Sequence, residues 1–152
     1  MLSNLIKITF LSSLPITELR GAIPIAISYY GLPVLPSYLF SVIGNLVPAV
    51  FLLLYLKLFS DFLRRWHPLD LFFCWLFKRT RKYEQRYEKY GAFFLFIFVA
   101  IPLPGTGVWA GSVAAFLFGI RFWYAFPMMV GGVLVAGLIV TLANLGVIHL
   151  VT

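Results

Sequence analysis

Apolar residues fill this chain in blocks, and the block lengths say more than any periodicity. Residues 2–14 are apolar apart from Lys7 and the short polar side chains, and Pro15 ends the block. A helix over these 13 residues reaches about 20 Å at 1.5 Å per residue, against a hydrocarbon core ~30 Å thick. Residues 22–30 form a shorter block still, with Pro24 near its start and Gly31 closing it. Neither block spans alone. Together they predict a helical hairpin that enters from one face, turns around residues 15–21 and leaves by the same face. Residues 35–56 differ: they hold no charge and are long enough to cross. Their polar members are Ser37, Ser41 and Asn45, and Pro48 predicts a kink.

The layout then repeats. Residues 90–101 are a short apolar arm, residues 102–107 (Pro-Leu-Pro-Gly-Thr-Gly) a dense breaker cluster, residues 108–118 a second short arm ending at Gly119, and residues 122–150 a long uncharged run. Shifting the chain over itself by 88 residues pairs Ala22 with Ala110, Ala26 with Ala114, Gly31 with Gly119, Gly44 with Gly132, Leu46 with Leu134 and Val47 with Val135. Breaker, hairpin closure and long span recur in one order, which predicts an internal duplication: repeat one over 1–57, a connector over 58–89, repeat two over 90–152.

Charge fixes the orientation. Nine of the 12 Lys and Arg and four of the five acids lie in residues 57–89, and a basic loop belongs on the cytoplasmic side. A hairpin returns to its own face and one span crosses, so both termini are expected outside. The two halves then run through the bilayer in opposite senses. The expected fold is an all-α integral membrane protein with an inverted-topology repeat, each half a re-entrant helical hairpin plus one long transmembrane helix. That plan places a site near the midplane, between the repeats. Residues 69–77, with Trp66 and Trp75 nearby, suit an interfacial helix, and residues 78–89 a solvated cytoplasmic one.

At 62% hydrophobic and net charge +7, the chain sets its basic residues beside apolar runs, so membrane lipid and not nucleic acid is the expected partner. Cys74 is alone and forms no intrachain disulfide. His67 and His149 are isolated near the two water faces, and Arg121 snorkels at the mouth of the second hairpin. No cleavable signal peptide, paired carboxylates, nucleophile–base pair or metal-ligand spacing is evident, so neither an enzyme nor a cofactor is expected.

The candidate chemistry sits at the two tips. Outside residues 57–89 the charged residues are Lys7, Glu18, Arg20 and Arg121. A charge inside an apolar flank costs ~2.5–3.5 kcal/mol or more and marks function by default. Glu18 is the candidate protonation or cation site, its burial and its arginine neighbour pulling the carboxylate in opposite directions. Arg20 offers a bidentate fork for phosphate or carboxylate. The competing reading is an ion pair that locks the hairpin. Thr17 can cap the second arm. At the other tip Pro104, Gly105, Thr106 and Gly107 expose backbone amides and a hydroxyl at a helix N-terminus, a ready anion site or else a tight turn letting the hairpins touch. Trp109 lines a pocket or packs. Asn45 lines the path or bonds a neighbouring helix. Gly131, Gly132, Ala136 and Gly137 allow close helix approach, with a homodimer contact second.

With Glu-Leu-Arg-Gly-Ala-Ile-Pro at 18–24, Gly-Asn-x-x-Pro at 44–48, and the run from Tyr90 to Gly111 containing Pro-Leu-Pro-Gly-Thr-Gly-x-Trp, the chain resembles the small multidrug export protein family over nearly its whole length. That family is similar to the wider DedA/VTT superfamily. The resemblance implies two re-entrant hairpins facing each other in the cell membrane. The superfamily likeness implies proton-linked transport, or translocation of a lipid such as a polyprenyl phosphate or phospholipid. With Glu18 and Arg20 at the tip, the expected function is a small proton-coupled transporter for a lipophilic or amphiphilic anion. A channel and a membrane scaffold remain as further readings.

Overall fold

A computed structural model describes residues 2–63, 87–103 and 106–151. The helix expected over 69–77, His67, Cys74 and most of the basic connector lie outside the described residues. So do Pro104 and Gly105. Within the described residues the chain is helical: α1 (Leu2–Ser13), α2 (Glu18–Pro24) continued by a π-helical turn (Ile25–Tyr29), α3 (Val34–Leu63), α4 (Tyr87–Ala100), α5 (Val108–Leu117) and α6 (Phe122–Val151). Two short helices and one long one thus occur twice in the same order.

Chemistry at the boundaries explains the elements. Pro15 stops α1. Pro24 brings no N–H to the second arm, and just after it the ladder widens, so that Tyr30 bonds back to Ile25 at 3.1 Å. Gly31 (φ +60°) and Gly119 (φ +67°) close the second arm in each half in the left-handed conformation, where only glycine carries no penalty. They are one of the pairs related by the 88-residue shift. Gly44 and Gly132 are another. A Cβ at Gly44 would stand 2.9 Å from the Thr9 backbone carbon, and one at Gly132 would stand 2.9 Å from the Phe96 carbonyl oxygen. In each half the first short arm therefore presses its backbone onto the long helix at the same glycine.

Two helices, Val34–Leu56 and Phe122–Leu150, are long and apolar enough to cross a membrane. Their faces are arranged for lipid. Along α3, Leu35, Leu39, Ile43, Val47 and Phe51 are exposed at every fourth position, whereas Ser37, Ser41 and Asn45 are buried. Apolar side chains point out and polar ones in, the reverse of a water-soluble helix. Along α6, Leu138, Leu142 and Leu145 are likewise exposed.

The halves interlock. α1 packs on α3 and α4 on α6, while α2 crosses to α6 and α5 crosses to α3. The long helices also touch each other: the Tyr38 hydroxyl donates to the Leu134 carbonyl at 3.0 Å, and Gly137 faces the Tyr38 ring. The central core joins both halves through Leu19, Ile23, Val42, Ala49, Val99, Val108, Met129 and Val133. That arrangement brings the turn after α1 against the turn after α4.

Candidate functional site

Breaking a helix leaves backbone groups at its ends without partners, each costly if it is buried and unmet. The second tip has this difficulty at both of its ends. α4 stops at Ala100, before Pro102, and its last carbonyls point at the turn. α5 starts at Val108, its cap residue Gly107 having no side chain to offer its N–H groups. Residues from the first tip meet both needs.

The Arg20 guanidinium reaches across to the carbonyl ends. It donates to the carbonyl oxygens of Leu103 and Thr106, to the Thr106 hydroxyl at 2.9 Å, and more weakly to Ile101 at 3.4 Å. A cation is also the favoured charge at a helix C-terminus. The planar fork serves several acceptors at once, which an ammonium cannot. Thr106 tightens the same turn, its hydroxyl lying 2.7 Å from the Ile101 carbonyl.

The Glu18 carboxylate goes to the other end. It accepts the backbone N–H of Trp109, the second residue of α5, so an acid from one half caps a helix of the other. Glu18 is buried and lies 3.9 Å from the Arg20 Nε. Its own backbone has φ +45°, alone among described non-glycine residues in having positive φ. A left-handed non-glycine residue costs of order 1–3 kcal/mol and persists where its surroundings over-determine it. Only Leu19 separates Glu18 from Arg20, and that unusual start lets both side chains face the second tip.

Capping runs in the other direction too. The Trp109 indole donates to the Ser13 carbonyl at the end of α1, at 3.2 Å. Thr17 was expected to cap α2; instead its hydroxyl donates back to the Leu11 carbonyl at 2.6 Å, and no side chain caps α2. Its proximity to the α1 terminus outcompetes the local cap.

An open cavity of about 500 Å³ lies where the tips meet, lined by Pro15, Ile16, Thr17, Glu18, Arg20, Thr106 and Trp109 among others. It combines apolar surface with one acid and one base. Of the residues singled out from sequence, Glu18, Arg20, Thr17, Thr106 and Trp109 come together here, and Gly107 packs against the Glu18 carboxylate. Asn45 does not line this cavity; it is buried on α3. The carbonyls of Ser13, Ile101 and Leu103 take part as acceptors and were missed by reasoning on side chains. Pro102 was the available signal, since a proline after a helix strands carbonyls that need a cation or hydroxyl. Among the described residues no group of His, Cys, Asp or Glu is arranged to hold a metal.

One comparison with known proteins returns a match. The sequence profile of the family described as "putative small multi-drug export protein" covers residues 18–139. The match begins at Glu18 and takes in both tips. No curated protein and no solved structure matches the chain.

Proposed function

The chain belongs to the small multi-drug export protein family, and from that premise we propose that it is a proton-coupled secondary transporter for a lipophilic or amphiphilic anion. The observation that carries this reading is the acid–base pair of one tip buried against the backbone ends of the other, Glu18 on Trp109 N–H and Arg20 on Leu103 and Thr106. An ionisable pair in so apolar a shell is costly. A purely structural contact between turns has cheaper solutions in serines and threonines.

On this proposal the architecture is an inverted repeat. Each short-helix pair is re-entrant, α3 and α6 cross in opposite senses, the basic connector faces the cytoplasm and both termini face out. The matching geometry of Gly31 with Gly119 and of Gly44 with Gly132 supports it.

The cycle follows from what holds the tips together. With Glu18 ionised, its charge fastens the α5 N-terminus and keeps Arg20 close. Protonation removes that charge, the carboxyl loosens from the amide, and the tips can part. The freed α5 N-terminus and Arg20 then offer an anion the donors that Glu18 and the backbone carbonyls had shared. The apolar wall at Pro15 and Ile16 takes the lipophilic part. Closing the tips again requires Glu18 to lose its proton and the anion to leave. Proton and substrate are thus coupled because the ionised Glu18 carboxylate and the anion compete for one set of donors.

A lipid scramblase or flippase of the DedA type is the second reading. It is favoured by the same cavity, whose apolar and cationic linings suit a lipid phosphate and its chain. We add that two crossing helices enclose little volume, which favours a homodimer. Channel and scaffold readings give the tips no exchange. Reconstitution in proteoliposomes separates these. A transporter accumulates an amphiphilic anion only under an imposed pH gradient, a scramblase equilibrates labelled lipid without one, and a scaffold does neither.

A further inference from the structure

α3 carries buried polar groups that the contact between the two tips does not use. Ser41 and Asn45 are 0% and 1% exposed, yet the Ser41 hydroxyl and both ends of the Asn45 amide have no hydrogen-bond partner among the described residues. Buried amides and hydroxyls are almost always paired, and leaving one unpaired is costly in an apolar layer. A further acceptor lies alongside. Pro48 has no N–H, so the Gly44 carbonyl lacks its usual helical donor.

Position gives these groups meaning. Val42 and Ala49, which share the Asn45 face of α3, lie in one core cluster with Leu19 and Val108, the sequence neighbours of Glu18 and Gly107. The Ser12 hydroxyl donates to the Ser41 backbone carbonyl, and the next residue, Ser13, accepts the Trp109 indole. The polar stripe Ser37–Ser41–Asn45 therefore runs along α3 from its N-terminal end into the core that packs against the starts of α2 and α5.

The mixture of groups selects the ligand. Asn45 Nδ2 needs an acceptor, Asn45 Oδ1 and the Gly44 carbonyl need donors, and Ser41 serves either way. A cation would meet only the oxygens, an anion only the donors. Water meets all of them.

We propose that Ser41, Asn45 and the Gly44 carbonyl hold a small cluster of internal water, and that this cluster relays protons between the Ser37 end of α3 and Glu18. In that step a proton on the cluster passes to a Glu18 carboxylate oxygen and leaves neutral water behind. No bond to carbon changes. The relay rests on the proton-coupled reading; the hydration of Asn45 does not.

The test uses the full chain in lipid nanodiscs, labelled with 15N-asparagine. The sequence holds three asparagines, Asn4, Asn45 and Asn144, so the Asn45 side-chain amide is assigned by its loss in Asn45→Leu. Cross-relaxation from that amide to long-lived water is expected. Its absence overturns the proposal, and so does stabilisation by sodium over choline at equal ionic strength, which would mark a cation site. In proteoliposomes with a trapped pH dye, Asn45→Leu should fold and melt at or above the wild-type temperature while passing protons at least ten-fold more slowly. Asn45→Ser should keep proton passage within three-fold. Wild-type rates in Asn45→Leu overturn the relay. No proton movement in the wild-type chain overturns the transport reading and the relay with it, and the water signal then decides the hydration alone.

Discussion

The Glu18 carboxylate lies against the Cα of Gly107, so close that a Cβ on Gly107 would stand 2.7 Å from Glu18 Cδ. Both partners have unusual backbones, Glu18 at φ +45° and Gly107 at φ +150°. The strain lies on Glu18 alone, since glycine adopts the Gly107 conformation without penalty. Any larger residue at 107 would add strain to the opposite side of the contact. Here the contact joins the start of α2 to the start of α5, so the fit between the two halves is most exacting at the acid itself.

Gly107→Ala should therefore be among the most damaging single-methyl changes in the chain. It adds overpacking of ~1–3 kcal/mol to backbone strain of similar size. Gly31→Ala and Gly119→Ala meet nothing within 4 Å and carry the backbone penalty alone. Thermal melts in one detergent should rank Gly107→Ala well below both. Equal losses at all three would mean that the Glu18–Gly107 contact is loose.

Arg20→Lys should be poorly tolerated although it keeps the charge. An ammonium cannot reach the Leu103 and Thr106 carbonyls together in the planar geometry of a guanidinium. Arg20→Ala should cost more, ~3–5 kcal/mol, because it strands Glu18 and the carbonyls in a low-dielectric contact. Melting temperatures should fall in the order wild type, Lys, Ala. A lysine variant as stable as wild type would show that charge alone suffices.

Much of this was legible in the sequence. Block length set the two long helices and four short ones, because the span of a helix against a bilayer depends on residue count alone. The positions of Pro15, Pro102, Gly31 and Gly119 set the breaks, since each acts on its own backbone. Glu18 and Arg20 stood out because charge is rare in such surroundings. What stayed hidden was where their partners lie. The guanidinium and the carboxylate end on backbone groups of the other half, and backbone carries no sequence signature. Thr17 shows the same limit: its residue type suits an N-cap, but the nearer Leu11 carbonyl takes its hydroxyl.

Trp109 gives a milder test of the reciprocal cap. Trp109→Phe keeps an aromatic ring and removes the indole N–H that serves the Ser13 carbonyl. The loss should be ~1 kcal/mol, the ordinary net value of one hydrogen bond, with up to ~3 kcal/mol if the stranded carbonyl finds no water. The backbone N–H of residue 109 is untouched, so its bond to Glu18 survives and pH-gradient-driven transport should persist. Abolished transport in a folded Trp109→Phe would place the indole in the substrate path.

Glu18→Gln separates holding from coupling. Glutamine has nearly the shape of the carboxylate, and its amide oxygen can still accept the Trp109 N–H. It forfeits the extra strength of a charge-assisted bond and the favourable interaction with the α5 N-terminus, each of order 1 kcal/mol. It also no longer keeps a charge in an apolar layer, which offsets part of that loss. The variant should therefore fold, with a melting temperature within a few degrees of wild type. It cannot take up or release a proton at the tip. Anion uptake in proteoliposomes should drop at least ten-fold, and the residual rate should no longer respond to an imposed pH gradient. Glu18→Ala, which leaves the α5 amide without an acceptor, should lose both stability and uptake. A Glu18→Gln protein that still follows the pH gradient would remove Glu18 from the coupling step and return the tip contact to a purely structural role.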